Sequence, residues 1–300
     1  MNADLFKADR LRLFSIAYRM LGSASDAEDV LQDAWLRMAG VDPATVRSPT
    51  AFATTVVTRL CLDRLKSARA TREEYIGPWL PEPVLTSEVE GPDAMLQRAE
   101  SVTLAFLVLL ETLSPEERAV FLLKDIFEYD HTEVAEMLGT TVENSRQLLH
   151  RAKARLAAGR PTLSGTAVSR RAVAERFARA FSDGDGAQLK SLLTQDVGMW
   201  SDGGGKALAA KRPLAGRDEV LNFLLGLYRT AHTLGVARDA TFEIRDVNAE
   251  PAIVLWVGQR LESVFVLSIG DVDTISAIRA VRNPDKLARI DRQLTSCTDA

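Results

Sequence analysis

The sequence has few of the residues that disulfides, metal sites and membrane spans require. Its 300 residues include two cysteines and three histidines, and neither type is spaced as a pair or cluster. A disulfide framework and a structural zinc site are therefore not expected. No apolar run has the length of a membrane span, and charges interrupt the N-terminal stretch where a signal peptide needs an apolar core. These absences predict a cytoplasmic protein with no metal, no cofactor and no contact with a membrane.

The chain is long enough for two or three compact domains, since 46% of its 300 residues are hydrophobic. The formal charge of -4 says little about nucleic-acid binding, because the placement of basic residues matters more than their number. Changes in pattern predict two all-α domains at residues 1–72 and 93–160, joined by a proline-rich linker at 73–92. An α+β domain is expected at 167–300.

The first block predicts an acidic helix. The preceding helix should end at Gly22, and the next should start near Asp26 with Ser25 and Glu28 as its capping box. Aspartates three, four and seven residues apart then share one face of this helix: Asp26, Asp29 and Asp33. Such a face cannot meet phosphate, so it is exposed to solvent or binds a basic protein partner.

A third helix, opened by Ser48 and Pro49, carries the opposite charge. Its apolar side includes Cys61, which we expect to be a core thiol. Five basic residues lie in a short stretch that holds a single acid, Asp63: Arg59, Arg64, Lys66, Arg69 and Arg72. We expect this helix to contact DNA.

The stretch "DHTEVAEMLGTTVENSRQLLHRAKARL" is typical of a helix-turn-helix. The first helix should end at Leu138, turn at Gly139, and be followed by a second helix that Thr140 opens. Polar residues early in that helix are suited to reading base edges, with a secondary contact from the last of them: Asn144, Arg146, Gln147 and His150. Basic residues further along are suited to binding phosphates: Arg151, Lys153 and Arg155. A solvated amphipathic helix is the alternative.

The third block predicts helices followed by a meandering antiparallel sheet, with strands at "TFEIRDV", "AIVLWVG", "SVFVLSI" and "TISAIRAV". An enzyme in this block would need an acid or base in an apolar pocket. The candidates are three aspartates and three aromatic walls: Asp202, Asp246, Asp273, Trp200, Trp256 and Phe265. No partner set accompanies them, which favours a ligand pocket over catalysis.

The first 160 residues or so resemble the extracytoplasmic-function sigma factors of bacterial RNA polymerase. The resemblance rests on "SDAEDVLQDAWLR", "SPTAFATTVVTRLCLDRLKSA" and the helix-turn-helix preceded by "LSPEERAVFLLKDIFEY". It implies that the acidic helix binds the clamp helices of the polymerase β' subunit, through Asp26, Asp29, Gln32 and Asp33. It also implies that the helix-turn-helix domain meets the β flap, that the loop 40–50 captures the melted minus-ten element, and that residues 142–156 read the minus-thirty-five element.

The third block resembles the SnoaL-like extension, a cone-shaped α+β fold, of one subgroup of these sigma factors. The matching stretches are "WLPEP", "SDGGGK" and "RNPDKL". The resemblance implies that the extension modulates the sigma factor through residues of these motifs: Trp79, Leu80, Pro81, Glu82, Pro83, Asp202, Gly203, Gly204, Gly205, Lys206, Asn283, Pro284, Asp285, Lys286 and Leu287. The alternative function is a cone-fold enzyme or ligand sensor fused to a helix-turn-helix regulator.

The linker is unusually apolar for a connector, and its prolines keep it extended. The loop from Asp202 to Lys206, the glycine loop, is expected to receive another segment of the chain, because its glycines allow close approach. We therefore predict that Trp79 and Leu80 insert against the third block near the glycine loop, and that Glu82 pairs with a basic group such as Lys206. The alternative is that Trp79 packs only on the neighbouring helices.

Overall fold

The chain folds into two compact units. The computed structural model describes residues 3–42, 45–46, 48–73, 75–86, 102–157, 166–270 and 273–298. The first unit comprises residues 1–74 and 87–161, and the second comprises 75–86 and 162–300. Residues 75–86 of the predicted linker thus belong to the second unit, while residues 87–92 lie outside the described part of the chain. No helix in that part is long and apolar enough to cross a membrane.

The first unit is all α-helical in its described residues. Its helices are α1 (Ala3–Leu21), α2 (Ala24–Ala39), α3 (Pro49–Glu73), α4 (Leu104–Leu110), α5 (Pro115–Phe121), α6 (His131–Leu138) and α7 (Val142–Leu156). A π-helical turn, Leu122–Ile126, extends α5. Helices α1, α2 and α3 pack on one another, and α7 packs on α5 and α6. The predicted helix-turn-helix is confirmed as α6 and α7, with Gly139 between them in the left-handed conformation.

Two predicted helix starts are displaced by one or two residues. Helix α2 begins at Ala24 because the Ser23 hydroxyl caps it, accepting the Asp26 amide at 3.1 Å. Helix α7 is capped by Thr141, whose backbone is extended, and not by Thr140. The stop at Gly22 is confirmed, with its N–H bonded to the Tyr18 carbonyl at 2.7 Å.

The second unit is an α+β fold, as predicted. Its elements are α8 (Ala167–Asp183), α9 (Gly186–Leu192), β1 (Leu193–Asp202), β2 (Leu214–Ala215), α10 (Arg217–Thr233), β3 (Ala240–Val247), β4 (Glu250–Val257), β5 (Arg260–Ile269), β6 (Ile275–Val281) and α11 (Pro284–Thr298). The strand order is β2-β1-β6-β5-β4-β3. The four predicted strands form the antiparallel meander β3 to β6.

The sheet also holds a parallel pair that the sequence did not predict, because β1 pairs with β6 in parallel. The sequence of β1 has little β-branched character, so its strand was not predicted. Its pairing places Trp200 beside Arg279 and Asp202 beside Val281. Since side chains alternate along a strand, these residues lie on the face opposite the core of Met199 and Ile278.

Candidate functional site

The acidic face of α2 is exposed and partly paired. Gln32 and Asp33 are exposed. Arg64 of α3 lies 3.6 Å from the Asp26 carboxylate and 3.4 Å from that of Asp29, and it also donates to the Asp26 carbonyl at 3.0 Å. Because both carboxylates remain about half exposed, the face still presents negative charge to a partner.

The basic residues of α3 contact other parts of the first unit. The Arg59 guanidinium donates to the carbonyl of Met137 at 2.9 Å and to that of Glu136 at 3.2 Å. Lys66 pairs with Glu116 at 3.4 Å. The side chains of Arg69 and Arg72 lie outside the described residues, as do Pro43, Ala44 and Arg47 of the predicted minus-ten loop. In this arrangement Arg59, Arg64 and Lys66 connect α3 to other helices of the first unit. A DNA contact by these residues stays a prediction.

The polar residues at the start of α7 are on the surface. Asn144, Arg146, Gln147 and His150 are all exposed. Asn144 donates from its amide to the Thr140 hydroxyl at 2.7 Å. These side chains are therefore placed where a groove of DNA could meet them.

The later basic residues of α7 anchor this helix to its neighbours. Arg151 and Arg155 both bond Glu117, at 3.1 Å and 2.8 Å, and Lys153 pairs with Asp125 at 2.8 Å. The side chain of Glu117 is 3% exposed. Burial alone would raise the pKa of Glu117, but the Ser114 amide and the two guanidinium groups outweigh burial and lower it. Glu117 also forms the capping box of α5 with Ser114. Its bonds to two arginines of α7 were not predicted from the sequence.

A buried carboxylate organises the contact between the linker and the second unit. Asp202 is 0% exposed. It accepts hydrogen bonds from the Tyr75 hydroxyl at 2.5 Å, the Leu80 amide at 2.8 Å and the Lys286 ammonium at 2.6 Å. Burial and the neighbouring Asp202 raise the pKa of Tyr75, which keeps its hydroxyl a donor. We call Asp202, Asn283 and Lys286 the linker dock.

Lys286 binds the linker in two further ways. Its ammonium donates to the Leu80 carbonyl at 2.5 Å. It also lies over two aromatic rings of the linker, 4.4 Å from the centroid of Trp79 and 4.9 Å from that of Tyr75. Such cation–π contacts strengthen when the cation is shielded from water, and the Lys286 side chain is 14% exposed. Leu80 itself is fully buried.

The glycine loop makes room for this contact. A Cβ at Gly204 would lie 2.2 Å from the Asn283 amide and 3.0 Å from the Tyr75 hydroxyl. Asn283 donates to that hydroxyl at 2.9 Å. Gly204 also has a positive φ, and a Cβ at Gly203 would lie 2.3 Å from a backbone carbonyl. The expectation that these glycines admit another segment of the chain is confirmed, and that segment is the linker.

The C-terminal end of the linker contacts the turn between β3 and β4. The Asn248 amide donates to the Val84 carbonyl at 3.0 Å, and the Val84 amide donates to the Asn248 side chain at 3.1 Å. Pro81, Glu82 and Pro83 between the two ends are buried. Twelve consecutive residues are thus held at both ends on one unit.

The predicted ion pair between Glu82 and Lys206 does not form. Lys206 pairs with Asp285 at 2.5 Å, and both side chains are more than half exposed. Glu82 is 3% exposed, too deep for a lysine that extends from a surface loop. Of the remaining motif residues, Leu287 is buried and Pro284 is exposed.

The second unit also encloses a cavity of about 660 Å³. Phe265 lines it, whereas Trp200 and Trp256 do not. Asp246 and Asp273 are exposed and do not line it, and Asp202 is occupied by the linker. The structure therefore brings none of the three candidate catalytic acids into the cavity.

Known proteins resemble this chain at two levels: family models match segments of the helical unit, and relatives match most of the chain. The models of Sigma-70 region 2 and Sigma-70, region 4 match residues 5–71 and 103–156. The ECF RNA polymerase sigma factor SigJ of Mycobacterium tuberculosis is 42% identical over 229 residues, covering 76% of this chain and 73% of the relative. The probable ECF RNA polymerase sigma factor SigI of the same species is 31% identical, with 94% and 93% covered.

A solved structure matches along almost the full length. The crystal structure of the Mycobacterium tuberculosis extracytoplasmic function sigma factor SigJ has a TM-score of 0.71 and 34% identity, covering 96% of this chain and 98% of that chain. The match includes the α+β unit, so this unit has the SnoaL-like fold that the sequence predicted. The chain belongs to the extracytoplasmic-function family of RNA polymerase sigma factors, which are transcription initiation factors and not enzymes.

Proposed function

We propose that this sigma factor is regulated by its own C-terminal unit, which holds the linker between region 2 and region 4. The observation that carries the proposal is the burial of the linker on that unit, centred on Asp202 and Lys286. An ion pair shielded from water is costly to break, because each charge loses its partner in a poorly solvated place. A change in this contact would alter how freely the two DNA-binding regions move.

The acidic face of α2 is our proposed contact with the clamp helices of the β' subunit. Asp29, Gln32 and Asp33 are exposed there, and Asp26 is half exposed. Region 4 is proposed to meet the β flap. As a partner of RNA polymerase, the protein would act in the cytoplasm.

The promoter contacts are proposed to divide between the two regions. At the start of α7, Asn144, Arg146 and Gln147 would read the minus-thirty-five element, with His150 as a secondary contact. Their exposure supports this role. Phosphate contacts are proposed for the basic residues that now pair with acids or carbonyls within the first unit: Arg59, Arg64, Lys66, Arg151, Lys153 and Arg155.

Run-off transcription with core polymerase tests the proposal. The full chain and a truncation after Leu163 are compared on the same promoters. We expect both proteins to direct initiation, with yields that differ by about threefold or more. If the yields are equal, the regulatory role of the C-terminal unit is wrong. If neither protein directs initiation at any promoter, the chain is instead an operator-binding regulator.

The cavity of the C-terminal unit is the proposed site for a small apolar ligand. Its walls include Phe181, Phe242, Leu255 and Phe265. Its volume of about 660 Å³ falls within the range of roughly 300–1,000 Å³ that small-molecule sites occupy.

A further inference from the structure

The mouth of the cavity is apolar as well as its walls. Seven large hydrophobic side chains are exposed in the described part of the chain, and three of them line this cavity: Leu208 at 65%, Leu234 at 70% and Val236 at 37%. Single exposed apolar residues are common, but three around one opening are typical of an entry for an apolar molecule.

The basic groups in the cavity wall are already paired with carboxylates, and the remaining charged group is itself negative. Lys206 pairs with Asp285, and both Arg260 and Arg282 pair with Glu262, at 2.5 Å and 2.6 Å. Asp291 adds a negative charge to the lining. An anionic ligand would have to break one of these ion pairs and approach a carboxylate, so the site favours a ligand without an anionic group.

Two polar rings in the wall are available to a ligand. Tyr228 and His232 lie one helical turn apart on α10, with ring centroids 4.3 Å apart, and neither side chain makes a hydrogen bond to another described residue. Gly184 makes room for the Tyr228 ring, because a Cβ there would lie 2.6 Å from it. The wall therefore offers a hydroxyl and an imidazole beside apolar surface.

The cavity shares two backbone segments with the linker dock. In the first segment, Arg282 lines the cavity, while the next residue, Asn283, bonds the Tyr75 hydroxyl. In the second segment, Leu208 lines the cavity, and Gly204, four residues earlier, makes room for the Tyr75 hydroxyl. The Arg282 guanidinium bonds the Leu208 carbonyl and so ties the two segments together. A ligand that orders these segments would also order the dock.

We propose that this cavity binds an apolar, ring-containing molecule that lacks an anionic group, and that binding strengthens the docking of the linker. The coupling rests on the proposed regulatory role of the C-terminal unit, whereas binding itself does not. By linkage, the undocking of the linker then weakens binding by the same factor.

The binding test uses N-phenyl-1-naphthylamine, an uncharged probe with a naphthyl and a phenyl group that fluoresces in apolar surroundings. Its anionic analogue is 1-anilinonaphthalene-8-sulfonate. The full chain should bind the uncharged probe saturably, at one site, and about tenfold more tightly than the sulfonate. Equal or tighter binding of the sulfonate, or no saturable binding of the uncharged probe, overturns the assignment.

Matched variants locate the bound probe. Ala231→Phe, on α10, places an aromatic ring inside the cavity. Val257→Phe, on β4, does the same from the sheet side. If both variants lose binding, a local folding defect in α10 is not the cause. Both should bind the probe at least about tenfold more weakly. The control is Thr233→Phe, on the same helix but outside the cavity lining, which should bind as the parent chain does. Equal binding by all three variants overturns the proposal.

The coupling test is hydrogen exchange of the linker in the full chain. The reporters are the amides of Leu80 and Val84, which donate to Asp202 and Asn248. A saturating concentration of the uncharged probe should slow their exchange about fivefold or more, and Ala231→Phe should abolish the effect. Unchanged exchange at saturation overturns the coupling. Neither assay contains polymerase, so a failure here is distinguishable from a failure in run-off transcription.

Discussion

At the scale of single residues, Asp202 explains why the glycine loop and the linker belong together. Its carboxylate accepts from the Leu80 amide, the Tyr75 hydroxyl and the Lys286 ammonium. It also accepts from the Gly204 amide at 3.1 Å. Through these four donors the carboxylate holds three segments of the chain at one point: the linker, the glycine loop and the start of α11.

Replacing Asp202 should destabilise the C-terminal unit strongly. Asp202→Asn leaves the Lys286 ammonium in a shielded place without a counter-charge, which costs about 3 kcal/mol of unfolding free energy. The matched control is Asp285→Asn, which removes an exposed ion pair with Lys206 and should cost less than about 1 kcal/mol. Urea unfolding measures both. Similar losses for the two variants would contradict the role given to Asp202.

The sequence predicted that the linker docks near the glycine loop but could not predict which side chains pair. Trp79 and Leu80 insert there as expected, while Lys206 pairs with Asp285 and not with Glu82. Motif residues indicate that two segments meet, because glycines allow another segment to approach the backbone closely. The choice between two nearby carboxylates depends on burial depth, which a sequence pattern does not contain.

At the scale of elements, the recognition helix α7 divides into two functional parts. Its first two turns present exposed polar side chains, whereas its later basic residues bind Glu117 and Asp125. Periodicity predicted both helices of the helix-turn-helix. It assigned the later basic residues of α7 to DNA phosphates and did not predict their ion pairs, because the acids that pair with them come from elements that are distant in sequence.

This division predicts different effects for two arginines of α7. In holoenzyme, Arg146→Ala should lower affinity for minus-thirty-five duplex DNA about tenfold and leave thermal stability unchanged. Arg155→Ala should lower thermal stability, because it removes one of the two guanidinium groups on Glu117. It should lower DNA affinity less than Arg146→Ala does, because it removes only a proposed phosphate contact. Electrophoretic mobility shift and thermal melting measure the two properties. A loss of affinity in Arg155→Ala equal to that in Arg146→Ala, with unchanged melting, would show that the division is wrong.

Glu117 should also make the first unit sensitive to acid. Its folded pKa is lowered, so its contribution to stability is complete above its unfolded pKa of about 4.3 and is lost as pH falls through the folded value. Glu117→Gln should be less stable than the parent chain at pH 7, and the gap should narrow below about pH 4. Urea unfolding across pH 3 to 7 checks this. A gap that stays constant with pH would exclude titration of this carboxylate as the cause.

At the scale of the whole molecule, region 2 and region 4 pack on each other inside the first unit. Arg59 bonds the carbonyls of Met137 and Glu136, Thr54 lies 3.0 Å from the Tyr129 hydroxyl, and Arg118 donates to the Met20 carbonyl at 2.7 Å. Promoter elements about 25 base pairs apart are separated by about 85 Å of B-form DNA, at about 3.4 Å per base pair. If the two regions read the two elements as proposed, two regions in direct contact cannot reach both, so this packing would have to open before initiation.

The linker joins the two regions, and we propose that its docking on the C-terminal unit limits how far they separate. Twelve linker residues held at both ends, by Asp202 and by Asn248, are not free to extend. Release of the linker should therefore favour the open arrangement. We propose that docking restrains initiation and that undocking promotes it.

Run-off transcription by a full-length double variant, W79A together with L80A, tests this claim most directly. The variant removes the side chains that pack on Lys286 and in the core of the dock, and faster hydrogen exchange of the Val84 amide verifies undocking. The control is Ile76→Ala, in the same linker but 65% exposed. We expect the double variant to raise transcript yield about threefold or more over the parent chain, and Ile76→Ala to cause no rise. Unchanged yield from a variant whose linker has undocked would contradict it.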